Sequence, residues 1–262
     1  MVHPAVRCHG PLDPPGSRPP EADHTLHPVP LVDPVLPMPF PIPKKLVVIG
    51  DSGVYGWGDP EHGGWCEQLR RHWMEIPDGP VLYNLGVRGD GLERVASRLA
   101  TEVLCRGELR RQVPQGILLS VGLNDTARVG RPDGRHQLDP EGFQFGLQQL
   151  LPMAREIAPV LVIGLTPVLE TMMPFADVLW YGLEAVRHYE GLLEEACMEA
   201  DVPFLPLLDS FLEDHRWPNW LSTDGLHLNS EGHWQVYARL KRWPALLRWA
   251  DLEPLAIPTP GR

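Results

Sequence analysis

Lys45-Leu46-Val47-Val48-Ile49-Gly50-Asp51-Ser52-Gly53 is the stretch that decides the fold. Leu46 to Ile49 are consecutive, apolar and mostly β-branched, the pattern of a strand buried on both faces. Gly50 and the small polar residues after it end the run as a turn. Outward from this strand the same alternation repeats. A helix-like stretch covers about Gly64 to Met74, Val81-Leu82-Tyr83 reads as a second strand, and Leu92 to Leu104 as a helix. Ile117 to Val121 is a third strand and Phe143 to Ile157 a helix; Val160 to Ile163 is a fourth strand and Leu183 to Ala200 a helix. Pro203 to Leu207 is predicted as a fifth strand, and a helix over about Glu231 to Leu247 closes the chain. Apolar strands alternating with amphipathic helices imply right-handed βαβ units. The expected fold class is therefore α/β, with one mainly parallel five-stranded sheet covered by helices on both faces.

The wider composition bounds what such a domain can be. At 262 residues, 43% hydrophobic and 22% charged, the chain has the make-up of an ordinary globular protein. It holds no run of about eighteen apolar residues, so no membrane span is expected. Lys and Arg number 23 against 34 Asp and Glu, a net charge of −11. With no basic cluster to offset it, nucleic acid is a poor partner. Cys8, Cys66, Cys105 and Cys197 stand far apart with no C-x-x-C pair, which suits a reducing compartment; with no signal-peptide pattern, a cytoplasmic location is the default. Of the 30 prolines, 13 fall in residues 1–43, and such a segment cannot supply helix interiors or ladder donors. Residues 1–43 are expected to be a disordered extension, with Met38 as an alternative start. The domain proper is expected over 44–250, followed by a 251–262 tail.

In an open parallel sheet, functional residues gather at the carboxyl ends of the strands. Four stretches do so here: Gly50-Asp51-Ser52-Gly53, Asn84-Leu85-Gly86-Val87-Arg88-Gly89-Asp90, Gly122-Leu123-Asn124-Asp125, and Thr223-Asp224-Gly225-Leu226-His227-Leu228-Asn229. Their residue types suit acyl transfer. A serine at a strand-to-helix turn is exposed, and histidine is the base suited to activating it near neutral pH. Asp224 lies three residues before His227, close enough for one turn to bring its carboxylate to the imidazole Nδ1 and fix the tautomer. The Ser52 and Gly89 N–H groups and the Asn124 amide are candidate donors to a tetrahedral oxyanion.

These four blocks, in this order, resemble those of the SGNH hydrolases, or GDSL esterases and lipases. The resemblance spans residues 50 to 227. It implies a flavodoxin-like three-layer α/β/α fold and ester hydrolysis through an acyl-serine intermediate, without metal or cofactor. It also implies Ser52 as nucleophile, His227 as base, Asp224 as its orienter, and Ser52, Gly89 and Asn124 as the oxyanion hole. Two departures show: Gly53 stands where the family's namesake pattern has leucine, and Leu228 where many members have proline. The expected partner is a small-molecule ester; oligomeric state is not legible. An acyltransferase, or a catalytically silent binding protein on the same fold, is the alternative reading.

Rival families fit less well. The serine block echoes trypsin-like proteases, but there the histidine and aspartate precede the serine. An α/β-hydrolase needs a G-x-S-x-G elbow and a dinucleotide-binding domain a G-x-G-x-x-G, and neither follows the first strand. Asp51, Asp90 and Asp125 are read as loop or cap carboxylates, and Asp133-Gly134-Arg135-His136 as a solvated loop. His62, His72, His188, His215 and His233 show no metal-ligand spacing and are read as surface or packing residues. Met172, Met173, Phe175 and Trp180, in the long connection after the fourth strand, are candidates either for the wall of an acyl pocket or for packing against the domain.

Overall fold

The computed structural model describes residues 43–107 and 113–252. Nearly all of the expected N-terminal extension, Met38 included, and most of the 251–262 tail lie outside the described residues. Among the described residues there are seven strands: β1 Lys45–Gly50, β2 Val81–Gly86, β3 Gly116–Ser120, β4 Arg128–Val129, β5 Val160–Ile163, β6 Leu179–Trp180 and β7 Phe204–Leu205. Five of them form one sheet in the order β2-β1-β3-β5-β7, parallel throughout. This is the flavodoxin-like order of a doubly wound sheet. β4 and β6 pair antiparallel as a small ladder of their own.

The helices are α1 Ser52–Tyr55, α2 Gly64–Met74, α3 Leu92–Leu104, α4 Pro140–Ile157, α5 Leu183–Glu199, α6 Leu208–Leu212, α7 Ser230–Leu240 and α8 Pro244–Trp249. Successive strand residues point to opposite faces, so each apolar run feeds two cores. Val47, Ile49, Ile117, Leu119 and Val162 pack with Leu92, Leu99, Phe143, Leu147 and Leu193 from α3, α4 and α5. Leu46, Val48, Leu118, Leu161 and Ile163 pack with Trp65, Leu69, Val236, Leu240 and Leu246 from α2, α7 and α8. Because α2 follows β1 onto one face and α4 follows β3 onto the other, a crevice opens where β1 and β3 lie side by side.

Three elements depart from expectation. β2 runs on to Gly86 rather than ending at Tyr83, because Asn84 finds its own partners at the sheet edge. Its amide donates to the Val54 carbonyl at 2.8 Å, and its Oδ1 accepts the Gly86 N–H at 3.0 Å. β7 is only two residues long, since Pro203 and Pro206 flank Phe204 and Leu205 and supply no ladder donor. The closing helix is two: α7 ends at Leu240, and Trp243 is extended (φ −71°, ψ 115°) ahead of Pro244, which starts α8.

Candidate active site

Asp51 lies buried at the end of β1 and caps α1, its Oδ1 accepting the Gly53 N–H at 2.8 Å. Asp51 is thus the cap residue. Ser52 becomes the first residue of the helix, where a backbone N–H has no intrahelical partner. Its Oγ lies 3.0 Å from His227 Nε2, and His227 Nδ1 lies 2.7 Å from Asp224 Oδ2.

The Asp224-to-His227 turn is built locally. Gly225 takes a left-handed backbone (φ 70°), and its N–H donates to the Ser222 carbonyl at 3.0 Å. The backbone N–H groups of Leu226 and His227 then both donate to Asp224 Oδ1 at 3.0 Å. Burial by itself would raise the Asp224 pKa. The His227 ring and these two amides outweigh it and hold the carboxyl at about 2. The imidazole is flanked edge-on by two aromatic rings, Trp57 at 6.3 Å and Phe175 at 5.6 Å between centroids. Behind Trp57, buried His233 bonds the Trp57 carbonyl at 3.1 Å and accepts the Trp65 N–H at 3.3 Å.

The two further candidate donors sit on neighbouring loops. Gly89 is exposed, with nothing within 4 Å of where a Cβ would stand. Its loop is tied down by Arg98 of α3, which reaches Asp90 Oδ2 and the Gly50 carbonyl at 2.8 Å and the Leu85 carbonyl at 3.0 Å. Asn124 opens the turn beyond β3. Its Nδ2 donates to the Asp90 carbonyl at 3.0 Å and meets Asp51 Oδ2 at 3.2 Å, while its Oδ1 accepts from the Tyr181 hydroxyl at 3.2 Å. Burial pushes Asp51 up to about 6, against the opposing pull of the Gly53 N–H and the His227 charge. Burial likewise pushes Asp125 up to about 7, although it accepts the Leu92 N–H. The acids expected to be loop or cap groups are therefore a cap (Asp51), an ion-pair partner (Asp90) and an acceptor for the first residue of α3 (Asp125).

Beside Ser52 and His227 lies a small cavity of about 40 Å3, walled among others by Trp57, Leu123, Leu165, Leu207, Leu226 and Val236. None of the four residues expected to wall an acyl pocket borders it. Met172 is 46% exposed over Gly225, and Met173 and Trp180 line a separate cavity of about 550 Å3 with Arg128, His136, Tyr181 and His188. Phe175 alone approaches the site, through the His227 ring. The 133–136 stretch is solvated at Asp133 but not at His136, which bonds the Thr126 carbonyl at 2.8 Å and packs on Tyr189. Among the described residues no three His, Cys, Asp or Glu side chains group as metal ligands, and no helix is long and apolar enough to cross a membrane.

Sequence reasoning did not find Trp57, Tyr181 or Arg98. None carries a motif, and each reaches the site from a separate segment of the chain. Chemically, the assembled groups offer a hydroxyl aligned on an imidazole, a carboxylate holding that imidazole, and amide donors on adjoining loops.

The family model described as GDSL-like lipase/acylhydrolase matches residues 48–235. Among solved structures, a lipase/acylhydrolase from Enterococcus faecalis superimposes with a TM-score of 0.63 at 19% identity, covering 82% of this chain and 100% of that one. An acetyl xylan esterase from Geobacillus stearothermophilus gives 0.58 at 17% identity, over 80% and 95%. A psychrotrophic esterase from Pseudoalteromonas gives 0.58 at 15%, over 79% and 99%. At such identities the likeness carries the fold. Comparison with curated proteins gives no match.

Proposed function

Since the chain belongs to the GDSL-like lipase/acylhydrolase family, we propose that it hydrolyses carboxylic esters through an acyl-serine intermediate at Ser52. The observation that carries this reading is the continuous chain Ser52 Oγ, His227 Nε2, His227 Nδ1, Asp224 Oδ2, with links of 3.0 and 2.7 Å. A serine hydroxyl is a weak nucleophile until a base takes its proton. His227 takes it as Oγ attacks the ester carbonyl, and Asp224 steadies the imidazolium that forms. The negative charge on the former carbonyl oxygen falls to the Ser52 and Gly89 N–H groups. Asn124 joins them by giving up its contact to Asp51, which at 3.2 Å is long for a bond to a carboxylate. His227 then returns the proton to the departing alcohol, and water, activated the same way, releases the acid and restores Ser52.

The substrate's acyl group is short. The cavity beside Ser52 and His227 is small, about 40 Å3, which favours a short acyl group over a fatty-acyl chain. The test is hydrolysis of p-nitrophenyl acetate by the wild type and Ser52→Ala. Substitution of the nucleophile is expected to cost on the order of 10⁶ in kcat. A clean, folded Ser52→Ala protein that keeps a substantial part of the rate would overturn the assignment.

A further inference from the structure

The rim of the site carries a cation that the catalytic chain does not use. Arg88 precedes Gly89 and lays its guanidinium flat on the exposed Trp57 ring, with Cζ 3.4 Å from the ring centroid. Trp57 is the residue whose ring meets His227 edge-on. Arg88 is itself exposed, and among the described residues no carboxylate or carbonyl accepts from it. The acid nearest along the chain, Asp90, is withdrawn from it: its Oδ2 is held by Arg98 at 2.8 Å, both side chains being largely buried. The chain as a whole carries a net charge of −11, so an arginine with no acidic partner among the described residues, seated on the ring that meets His227, stands out against its surroundings.

Stacking engages only the face of a guanidinium. Its N–H groups point outward in the plane, in the fork that matches a carboxylate or phosphate in two parallel hydrogen bonds. The ring beneath also fixes the side chain, so less rotamer freedom is lost when an anion binds. We propose that Arg88, seated on Trp57, binds an anionic group, a carboxylate or a phosphate, on the ester substrate and so selects acidic esters over neutral ones. The inference takes from the esterase reading only the position of the scissile bond.

The experiment uses matched esters and a binding arm that needs no turnover. Wild type, Arg88→Gln and Arg88→Lys are compared on three pairs: mono-p-nitrophenyl glutarate with p-nitrophenyl valerate, 4-acetoxybenzoate with phenyl acetate, and 4-acetoxyphenyl phosphate with phenyl acetate. The pairs place the charge on the acyl side or the leaving group, and distinguish carboxylate from phosphate. The expected result is a fall of about tenfold in the anionic-to-neutral ratio of kcat/KM for at least one pair in Arg88→Gln, carried by KM. Arg88→Lys should restore part of it, and rising salt should erode the wild-type preference. An unchanged ratio in every pair overturns the proposal. In parallel, Ser52→Ala and Ser52→Ala/Arg88→Gln are titrated calorimetrically with the same anionic esters. Weaker binding by about tenfold in the double variant supports the site even if no ester is ever cut. Equal affinity, or no binding in either, overturns it.

Discussion

Asp224 meets His227 by side chain and backbone together, and that double engagement makes its role separable from mere charge. The carboxyl is held at about 2, its own burial overcome by the His227 ring and the two amides, so it stays ionised through the neutral range. Asp224→Asn keeps an acceptor for the Leu226 and His227 amides yet offers Nδ1 a poor partner and the wrong tautomer. We expect the fold to survive, with kcat reduced about 10³–10⁴-fold, read from ester hydrolysis alongside a circular-dichroism spectrum. A loss below tenfold would remove Asp224 from the mechanism. Asn124→Ala is expected to cost about 10²–10³ in kcat, as loss of one oxyanion donor does; a fall in KM alone would contradict that. At this scale the contacts Ser52–His227 and His227–Asp224 were legible before the fold, because these residue types at strand ends suit such pairing. Tyr181 was not legible: a tyrosine in a long connection looks the same whether its hydroxyl meets solvent or the Asn124 amide.

Among the elements, α3 starts without a side-chain cap of its own, and Asp125 from the loop after β3 supplies the acceptor for the Leu92 N–H. Burial raises the Asp125 carboxyl to about 7, so the native state binds a proton that the unfolded chain releases near 3.8. Stability therefore falls as pH rises from about 4 to 7, and the cost persists above that range. Asp125→Asn keeps the acceptor and removes the charge. We expect it to stabilise the protein by about 1–3 kcal/mol at pH 8 and by little at pH 4, measured from urea unfolding midpoints. Equal shifts at both pH values would mean that the charge is not the cause. The β1–β3 contact is a sharper constraint. A Cβ at Gly50 would sit against the Ser120 carbonyl oxygen and the Val54 methyl, so Gly50→Ala is expected to destabilise by about 2 kcal/mol or more. A wild-type midpoint would refute this. Strand and helix order was readable here because both periodicities were clean. The end of β2, the brevity of β7 and the break before α8 were read less well, because partners for Asn84 and the positions of prolines decide ends that hydrophobic pattern alone leaves open.

For the molecule as a whole, the proposed limit on substrate size arises where separate segments meet. The small cavity beside Ser52 draws Leu165 from beyond β5, Leu207 from beyond β7, Val236 from α7 and Leu123 from beyond β3. Wild type is therefore expected to prefer p-nitrophenyl acetate to the octanoate by at least tenfold in kcat/KM, and Leu165→Ala to shift the preference toward longer chains. A wild-type optimum at eight carbons would refute the size argument.

The amino-acid order by itself determined the sheet, its covering helices and which residues make up the proposed triad. A period of two or 3.6 needs no partner to be read, and serine, histidine and aspartate at strand ends announce their chemistry. Tertiary structure alone decided the small cavity beside Ser52, which Met172, Met173, Phe175 and Trp180 do not line, and the pairing of Asp90 with Arg98, which leaves Arg88 without an acidic partner among the described residues. Both depend on contacts between segments far apart in the chain, where shape and competition for partners, rather than local pattern, choose the winner.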